Sequence, residues 1–165
     1  MAPVIDLFYL MLPVYVANMV PPFARFWKGW NPPISKRWLG AHKTVVGFAL
    51  GLLGGVATAF AQYQIGWSRA FLDYADWPIL GLALGFGAMA GDSTKSFVKR
   101  RLAIAPGTSW IPADQIDFVI GGLIVLAFWV NLSVADMAVI LAVSFAGDLL
   151  INRLSFRMGI RETPI

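Results

Sequence analysis

The sequence lacks cysteine and has few charged residues. Without cysteine the chain can form neither disulfides nor thiolate metal sites, although this absence leaves its compartment open. Only 13% of the 165 residues are charged, whereas soluble domains usually carry about 25%. Hydrophobic residues make up 58%, and the mean hydropathy is +0.69. The composition therefore excludes an ordinary soluble domain and predicts an integral membrane protein.

The beginning of the chain also lacks a basic leader and a small-residue cleavage site. The opening segment, MAPVIDLFYLMLPVYVANMV, is therefore expected to be retained rather than removed as a signal peptide. The chain is too short for a two-domain pattern, and residues 1–165 are expected to form a single domain.

Five apolar runs approach the roughly 20 residues that a helix needs to cross a bilayer. They cover residues 4–20, 44–65, 77–90, 116–130 and 134–151. The third run is short, so its helix should continue past Ala90 into the membrane interface. Glycine recurs at every fourth position in the second and third runs, a spacing that lets membrane helices pack closely. These glycines are Gly47, Gly51, Gly55, Gly81 and Gly85. The pattern predicts an all-α bundle of five transmembrane helices.

Lysine and arginine are concentrated on one side of the predicted bundle. Of the 13 cations, all but Arg69 follow the first, third or fifth span. Because cytoplasmic loops are rich in Lys and Arg, the N-terminus is predicted outside and the C-terminus inside, in a multi-pass protein of the cell membrane. Asp6 and Asp136, near the outer side, are expected to stay solvated.

The end of the third span carries more chemistry than a membrane stop signal requires. It reads GDSTKSFVKRR and contains Asp92, Lys95, Ser96 and Lys99. Offsets of three, four and seven residues place these four side chains on one face of a helix. The alternative is an ordinary basic helix end with an incidental aspartate, which does not account for the hydroxyl.

A second acidic pair, Asp114 and Asp117, lies in WIPADQIDFVIGG at the cytoplasmic mouth of the fourth span. A spacing of three places both carboxylates on one side of the helix. Acidic residues in a first turn are also favoured by the helix dipole, so a purely structural role stays open. Ionisable groups at membrane depth cost roughly 2.5–3.5 kcal/mol each and therefore tend to mark function.

Three carboxylates without His or Cys partners suit a hard cation, and we expect Asp92, Asp114 and Asp117 to hold Mg²⁺. Two ions about 3.5–4 Å apart would clamp the entering and leaving oxygens of a phosphoryl transfer. Lys95 and Lys99 beside them would neutralise phosphate oxygens. The sequence thus predicts a site for a metal–nucleotide or metal–diphosphate complex.

Further candidates surround this cluster. Lys43 and Thr44 begin the second span, where unpaired backbone N–H groups attract anions. GAHKT, which contains them, is not a P-loop because the first glycine of that motif is missing. Thr94 and Arg100 belong to the basic helix end. Asn18, near the inner end of the first span, could cap that helix or contact a ligand.

GDSTKSFVKRR followed by WIPADQID resembles the archaeal CDP-archaeol synthase family, a short relative of bacterial CDP-diglyceride synthetases. The bacterial signature has the order G-D, E-S, K-R and D-R-x-D. The matching positions here are Gly91, Asp92, Ser96, Lys99, Arg100, Asp114 and Asp117. Lys95 replaces the acidic residue and Gln115 the arginine, and these departures fit the archaeal branch. LPVYVANMVPP, LGAHKTVVG and GIRETPI are also similar to archaeal segments, so the resemblance covers most of the chain.

The resemblance implies a reaction in archaeal phospholipid biosynthesis. CMP passes from CTP to 2,3-bis-O-(geranylgeranyl)-sn-glycerol 1-phosphate, an isoprenoid glycerol ether phosphate, and pyrophosphate leaves. The basic residues would bind the β- and γ-phosphates or the lipid phosphate. Ser96 and Thr94 would donate hydrogen bonds or bind metal, and Asn18 would contact cytosine or the lipid headgroup. Membrane lipid surrounds the protein, a homodimer is possible, and nucleic acid has no role.

Two alternatives from other classes remain at this point. A small membrane transporter would need polar residues through the bundle, yet the second and fourth spans are nearly without ionisable side chains between their ends. A non-catalytic lipid-binding protein would not explain three clustered carboxylates.

Overall fold

The computed structural model describes residues 1–105 and 108–157, with every side chain in those ranges except that of Ser155. The GIRETPI segment lies outside the described residues. Five α-helices are present in this part of the chain, which confirms the predicted all-α fold. They are α1 (Val4–Met19), α2 (Val45–Ile65), α3 (Trp77–Arg101), α4 (Ala113–Leu126) and α5 (Val134–Arg157). Two 3-10 segments, Pro21–Phe26 and Tyr74–Asp76, follow α1 and precede α3.

Three of the helical segments are both long and apolar enough to cross a membrane. They are Val4–Phe26, Val45–Ile65 and Val134–Leu154. Helix α3 continues past Ala90 as expected, and its last turns carry the charged residues. Helix α4 has 14 residues and is about 21 Å long at 1.5 Å per residue. It begins before the predicted residue 116 and ends before residue 130, because the apolar run continues into a turn after Leu126.

One end of the bundle is closed by buried polar contacts. Asp6 in α1 pairs with Arg69 at 3.1 Å, and the Ala2 N–H donates to Asp136 Oδ1 at 2.8 Å. The Ser133 hydroxyl donates to the same carboxylate at 2.6 Å. Asp6 and Asp136 are therefore buried, and the expectation that they stay solvated is wrong. The side of the membrane that this end faces stays a prediction.

Glycine brings α2, α3 and α4 into backbone contact. A Cβ added at Gly55 would lie 2.6 Å from the Gly81 carbonyl oxygen, and one at Gly81 would lie 2.5 Å from Val56 Cα. The predicted close packing of α2 on α3 is confirmed. A second glycine contact, which was not predicted, joins α3 to α4: a Cβ at Gly91 would overlap the Asp117 carbonyl. This contact places Asp92 directly opposite Asp117.

A Gly91→Ala substitution should lower stability by about 1–3 kcal/mol, because the added methyl group forces α3 away from α4. The matched control is Gly147→Ala in α5, where an added Cβ meets nothing within 4 Å. Because alanine is about 1 kcal/mol better than glycine in a helix interior, that control should be neutral or stabilising. Thermal unfolding of the detergent-solubilised protein measures both, and equal melting temperatures would contradict the backbone contact.

Candidate active site

A cavity of about 670 Å³ lies at the end of the bundle where α2 begins and α3 ends. This volume is within the range of about 300–1,000 Å³ that is typical of small-molecule sites. Most of the predicted site residues line it: Asn18, Lys43, Thr44, Asp92, Lys95, Ser96, Lys99, Arg100 and Asp114. Asp117 and Thr94 are not among the lining residues, although Asp117 contacts Lys95, which is.

Lys95 stands at the centre of the acidic residues. Its Nζ lies 3.2 Å from Asp92 Oδ1, 3.2 Å from Asp114 Oδ1 and 2.8 Å from Asp117 Oδ2. Its side chain is only 14% exposed. Carboxylates that surround one ammonium group would repel one another strongly without it when water is excluded. One ammonium group therefore joins the end of α3 to the beginning of α4.

Asp92, Asp114 and Asp117 are the candidate ligands of a metal site. In residues 1–105 and 108–157, no three acidic, His or Cys side chains form a ready site, because the Lys95 ammonium occupies the space between the carboxylates. The donor chemistry nevertheless fits Mg²⁺, which prefers carboxylate oxygen. Asp117 is 9% exposed, and its Oδ1 has no hydrogen-bond donor among the described residues. A buried acceptor of this kind suits a cation.

The loop between α1 and α2 supplies a further cation, Lys43, which forms an ion pair with Asp92. The loop is closed by backbone hydrogen bonds, from Ile34 N–H to the Lys43 carbonyl at 2.8 Å and from Val45 N–H to the Pro32 carbonyl at 3.1 Å. The Thr44 hydroxyl accepts from the Gly47 N–H at 3.2 Å and caps α2. Thr44 thus fixes the position of Lys43, although its own predicted ligand role is untested.

Lys99 forms its hydrogen bonds with groups of the protein itself. Its ammonium donates to the Thr108 carbonyl at 2.6 Å and to both Asp114 carboxylate oxygens at 3.1 Å. An ammonium group has three donors, so all are engaged, and Lys99 ties the α3–α4 connection to α3.

Two opposing effects act on the pKa of Asp114, which precedes the apolar span, and partial burial is the one that raises it. The Trp110 N–H and the ammonium groups of Lys95 and Lys99 outweigh this effect and lower that pKa below its ordinary value.

Arg100 differs from Lys99, because it lines the cavity and its buried Nε has no partner among the described residues. Arg100 is therefore better placed than Lys99 to meet a ligand phosphate. Ser96 also lines the cavity, and its hydroxyl donates to the Asp92 carbonyl at 2.9 Å. An oxygen that already donates in this way still has lone pairs with which to accept.

The structure does not bring Thr94 to the cavity. This residue is exposed, and its hydroxyl donates to the Ala90 carbonyl at 2.8 Å. At 3.6 residues per turn, Thr94 points about 160° away from Asp92. Ser93 lines the cavity in its place.

The lining also contains residues that were not among the sequence candidates, including Arg25, Asp148 and Gln115. Asp148 accepts from Asn152 Nδ2 at 2.7 Å. Gln115 is 1% exposed, and its Oε1 has no hydrogen-bond partner among the described residues. This burial could not be predicted from the sequence, because it depends on how α4 packs against α1.

Comparison with known proteins shows the family of this chain. The family model for CarS-like CDP-archaeol synthases matches residues 2–165. The chain belongs to the CDP-archaeol synthase family. A CDP-archaeol synthase of Methanosphaerula palustris is 34% identical, with 93% of this chain and 99% of the relative aligned. One of Archaeoglobus fulgidus is 31% identical, with 94% of each chain aligned.

A solved structure of an intramembrane enzyme for archaeal membrane lipid biosynthesis shares the fold of this CDP-archaeol synthase family member. It aligns with a TM-score of 0.76 and 29% identity over 91% of this chain and 94% of that chain. The family resemblance seen in the sequence, and with it the membrane cytidylyltransferase class, is confirmed. The comparisons give no support to the transporter or the non-catalytic lipid-binding protein.

Replacing Lys95 with methionine should destabilise the fold. The substitution keeps most of the apolar chain but leaves three carboxylates without their shared cation. Breaking a buried ion pair in this way typically costs about 3 kcal/mol. Chemical denaturation in mild detergent provides the measurement, with the exposed Lys36→Met as its control. A loss no larger than that of the control would show that Lys95 does not neutralise the carboxylates.

Proposed function

We propose that this protein transfers CMP from CTP to an isoprenoid ether-lipid phosphate, giving a CDP-activated lipid of the CDP-archaeol type and pyrophosphate. The relatives named above are CDP-archaeol synthases, and the chain covers nearly their whole length. The observation that carries the proposal is the joining of carboxylates and cations from α3, from α4 and from the loop before α2 at one cavity. The charge bias supports a site that faces the cytoplasm.

In the proposed reaction an oxygen of the lipid phosphate attacks the α-phosphorus of CTP in line. A new P–O bond forms as the bond between the α-phosphorus and the bridging oxygen breaks, and that oxygen leaves with pyrophosphate. The lipid phosphate is already anionic near neutral pH, so no strong general base is needed. The main barrier is repulsion between two anions, which is largest where the dielectric constant is low.

The protein's cations reduce this repulsion. Lys43, Lys95 and Arg100 all line the cavity, and Lys95 contacts all three carboxylates. Asp92, Asp114 and Asp117 would hold Mg²⁺, two ions in our proposal, which supplies positive charge to the phosphoryl oxygens when bound. Lys95 would then turn from the carboxylates toward a substrate phosphate, a move that its flexible side chain allows.

Asp92→Asn and Asp117→Asn should each reduce cytidylyl transfer by at least about 100-fold, the scale on which removing one electrostatic group acts. Asparagine preserves the volume but removes the charge. Purified protein is incubated with labelled CTP, Mg²⁺ and the lipid phosphate, and labelled lipid is counted. Asp76→Asn is the control, since Asp76 is exposed and remote from the cavity. Near-normal turnover in either site variant would refute the carboxylate assignment.

Substitutions of the adjacent residues Lys99 and Arg100 should have different effects, the first on stability and the second on substrate binding. Lys99→Met removes three internal hydrogen bonds and should lower the melting temperature. Arg100→Met removes a donor aimed at the cavity and should raise the KM for CTP or for the lipid phosphate roughly tenfold, because a charge-assisted hydrogen bond contributes about 1.5 kcal/mol. Steady-state kinetics and thermal unfolding on both variants test this. An Arg100 variant with wild-type kinetics would place that residue outside the substrate contacts.

A further inference from the structure

The two faces of α4 give the cavity two chemically different sides. Asp114 and Asp117 lie on the face that packs against α3, where Gly121 also meets Gly87. This side carries the ion pairs described above. It has the charged groups that phosphates require.

The other face of α4 packs against α1. Phe118 contacts Tyr15 with ring centroids 6.3 Å apart, and a Cβ at Gly122 would lie 2.7 Å from Val14 Cγ2. Gln115 precedes these two residues by three and seven positions and therefore lies on the same face. It also lines the cavity. The side of the cavity toward α1 is thus bordered by a neutral amide.

Asn18 completes this amide side from α1. Asn18 follows Tyr15 by three residues and Val14 by four, so it lies on the same face of α1 as these two residues that contact α4. It also lines the cavity. Two other neutral side chains in the lining are used internally: Asn31 Oδ1 accepts from the Val46 N–H at 3.1 Å, and the Thr44 hydroxyl caps α2.

Gln115 brings to the cavity lining an acceptor that is both buried and unpaired among the described residues. The residue is 1% exposed, and Oε1 has no donor among the described residues. A buried polar atom of this kind loses its bonds to water without gaining a replacement, so it favours a ligand that brings a neutral N–H or O–H donor. A half-turn of the terminal amide exchanges oxygen and nitrogen, so the oxygen can be presented to the cavity.

The chemistry of the two substrates shows which of them can donate a hydrogen bond to the Gln115 oxygen. The ether-lipid phosphate has no N–H group, its glycerol oxygens are all substituted, and its dianion has no O–H. The nucleoside half of CTP has an exocyclic amine on cytosine and hydroxyl groups on ribose. Only the nucleoside can therefore satisfy the Gln115 oxygen.

We propose that Gln115 binds the nucleoside half of CTP, with its side-chain amide accepting a hydrogen bond from the cytosine amine or a ribose hydroxyl. This inference rests on the proposed function. CTP would lie with its phosphates toward α3 and its nucleoside between α1 and α4.

Gln115→Met tests the proposal, since methionine keeps the length of the side chain and removes its hydrogen bonds. The KM for CTP should rise roughly tenfold, whereas the KM for the lipid phosphate and the inhibition constant of pyrophosphate should not change. The melting temperature should stay equal or rise, because an unpaired buried acceptor is removed. Gln64→Met, an exposed glutamine in α2, should leave all four quantities at wild-type values.

Comparison of CTP with 2′-deoxy- and 3′-deoxy-CTP identifies the donor. If Gln115→Met weakens all three equally, the amine is the partner; if one deoxy analogue escapes the penalty, the partner is the missing hydroxyl. An unchanged KM for CTP, or an equal weakening of pyrophosphate, overturns the proposal. Calorimetric titration of CTP without lipid repeats the comparison independently of turnover. A wild-type protein that binds CTP but forms no CDP-lipid would instead refute the proposed function.

Discussion

The ammonium group of Lys95 holds together the polar end of the bundle. Three carboxylates from two helices approach it within 3.2 Å, and they could not remain close together in a buried place without a shared cation. Lys43 and Lys99 add two more cations, so that the carboxylates and these lysines balance. Arg100 and Arg25 also line the cavity and Asp148 offsets one of them, so a surplus of one positive charge remains. The surplus positive charge favours an anionic ligand, as two phosphate-bearing substrates require.

This arrangement depends on helices that approach more closely than side chains usually allow. The contact of Gly91 with the Asp117 carbonyl, and of Gly121 with Gly87, puts the backbones of α3 and α4 in direct contact. Only at that separation do an aspartate on α3 and one on α4 reach the same ammonium group. Small residues in the apolar part of the bundle therefore determine the geometry of the polar part, although they take no part in its chemistry.

Helical periodicity was enough to place much of this cluster. Asp92, Lys95, Ser96 and Lys99 share a face because of their spacing, and the same arithmetic excludes Thr94, which is close to them only in sequence. Periodicity could not show that Lys99 is fully engaged, because its partner carbonyl at Thr108 lies beyond the end of α3. The burial of Gln115 was equally hidden, since it follows from the packing of α4 on α1.

The depth of the site follows from the unequal lengths of α3 and α4. Asp92 lies about 13 Å before the end of α3 at 1.5 Å per residue, whereas Asp114 is in the first turn of α4. Beyond the carboxylates, α3 continues to Arg101, whose guanidinium lies 5.1 Å from the rings of both Trp38 and Phe97. Aromatic and cationic side chains of this kind are typical of the membrane interface. The carboxylates therefore lie deeper in the bundle than Arg101, a position that suits the proposed reaction, in which a lipid phosphate would approach from the bilayer and a nucleotide from water.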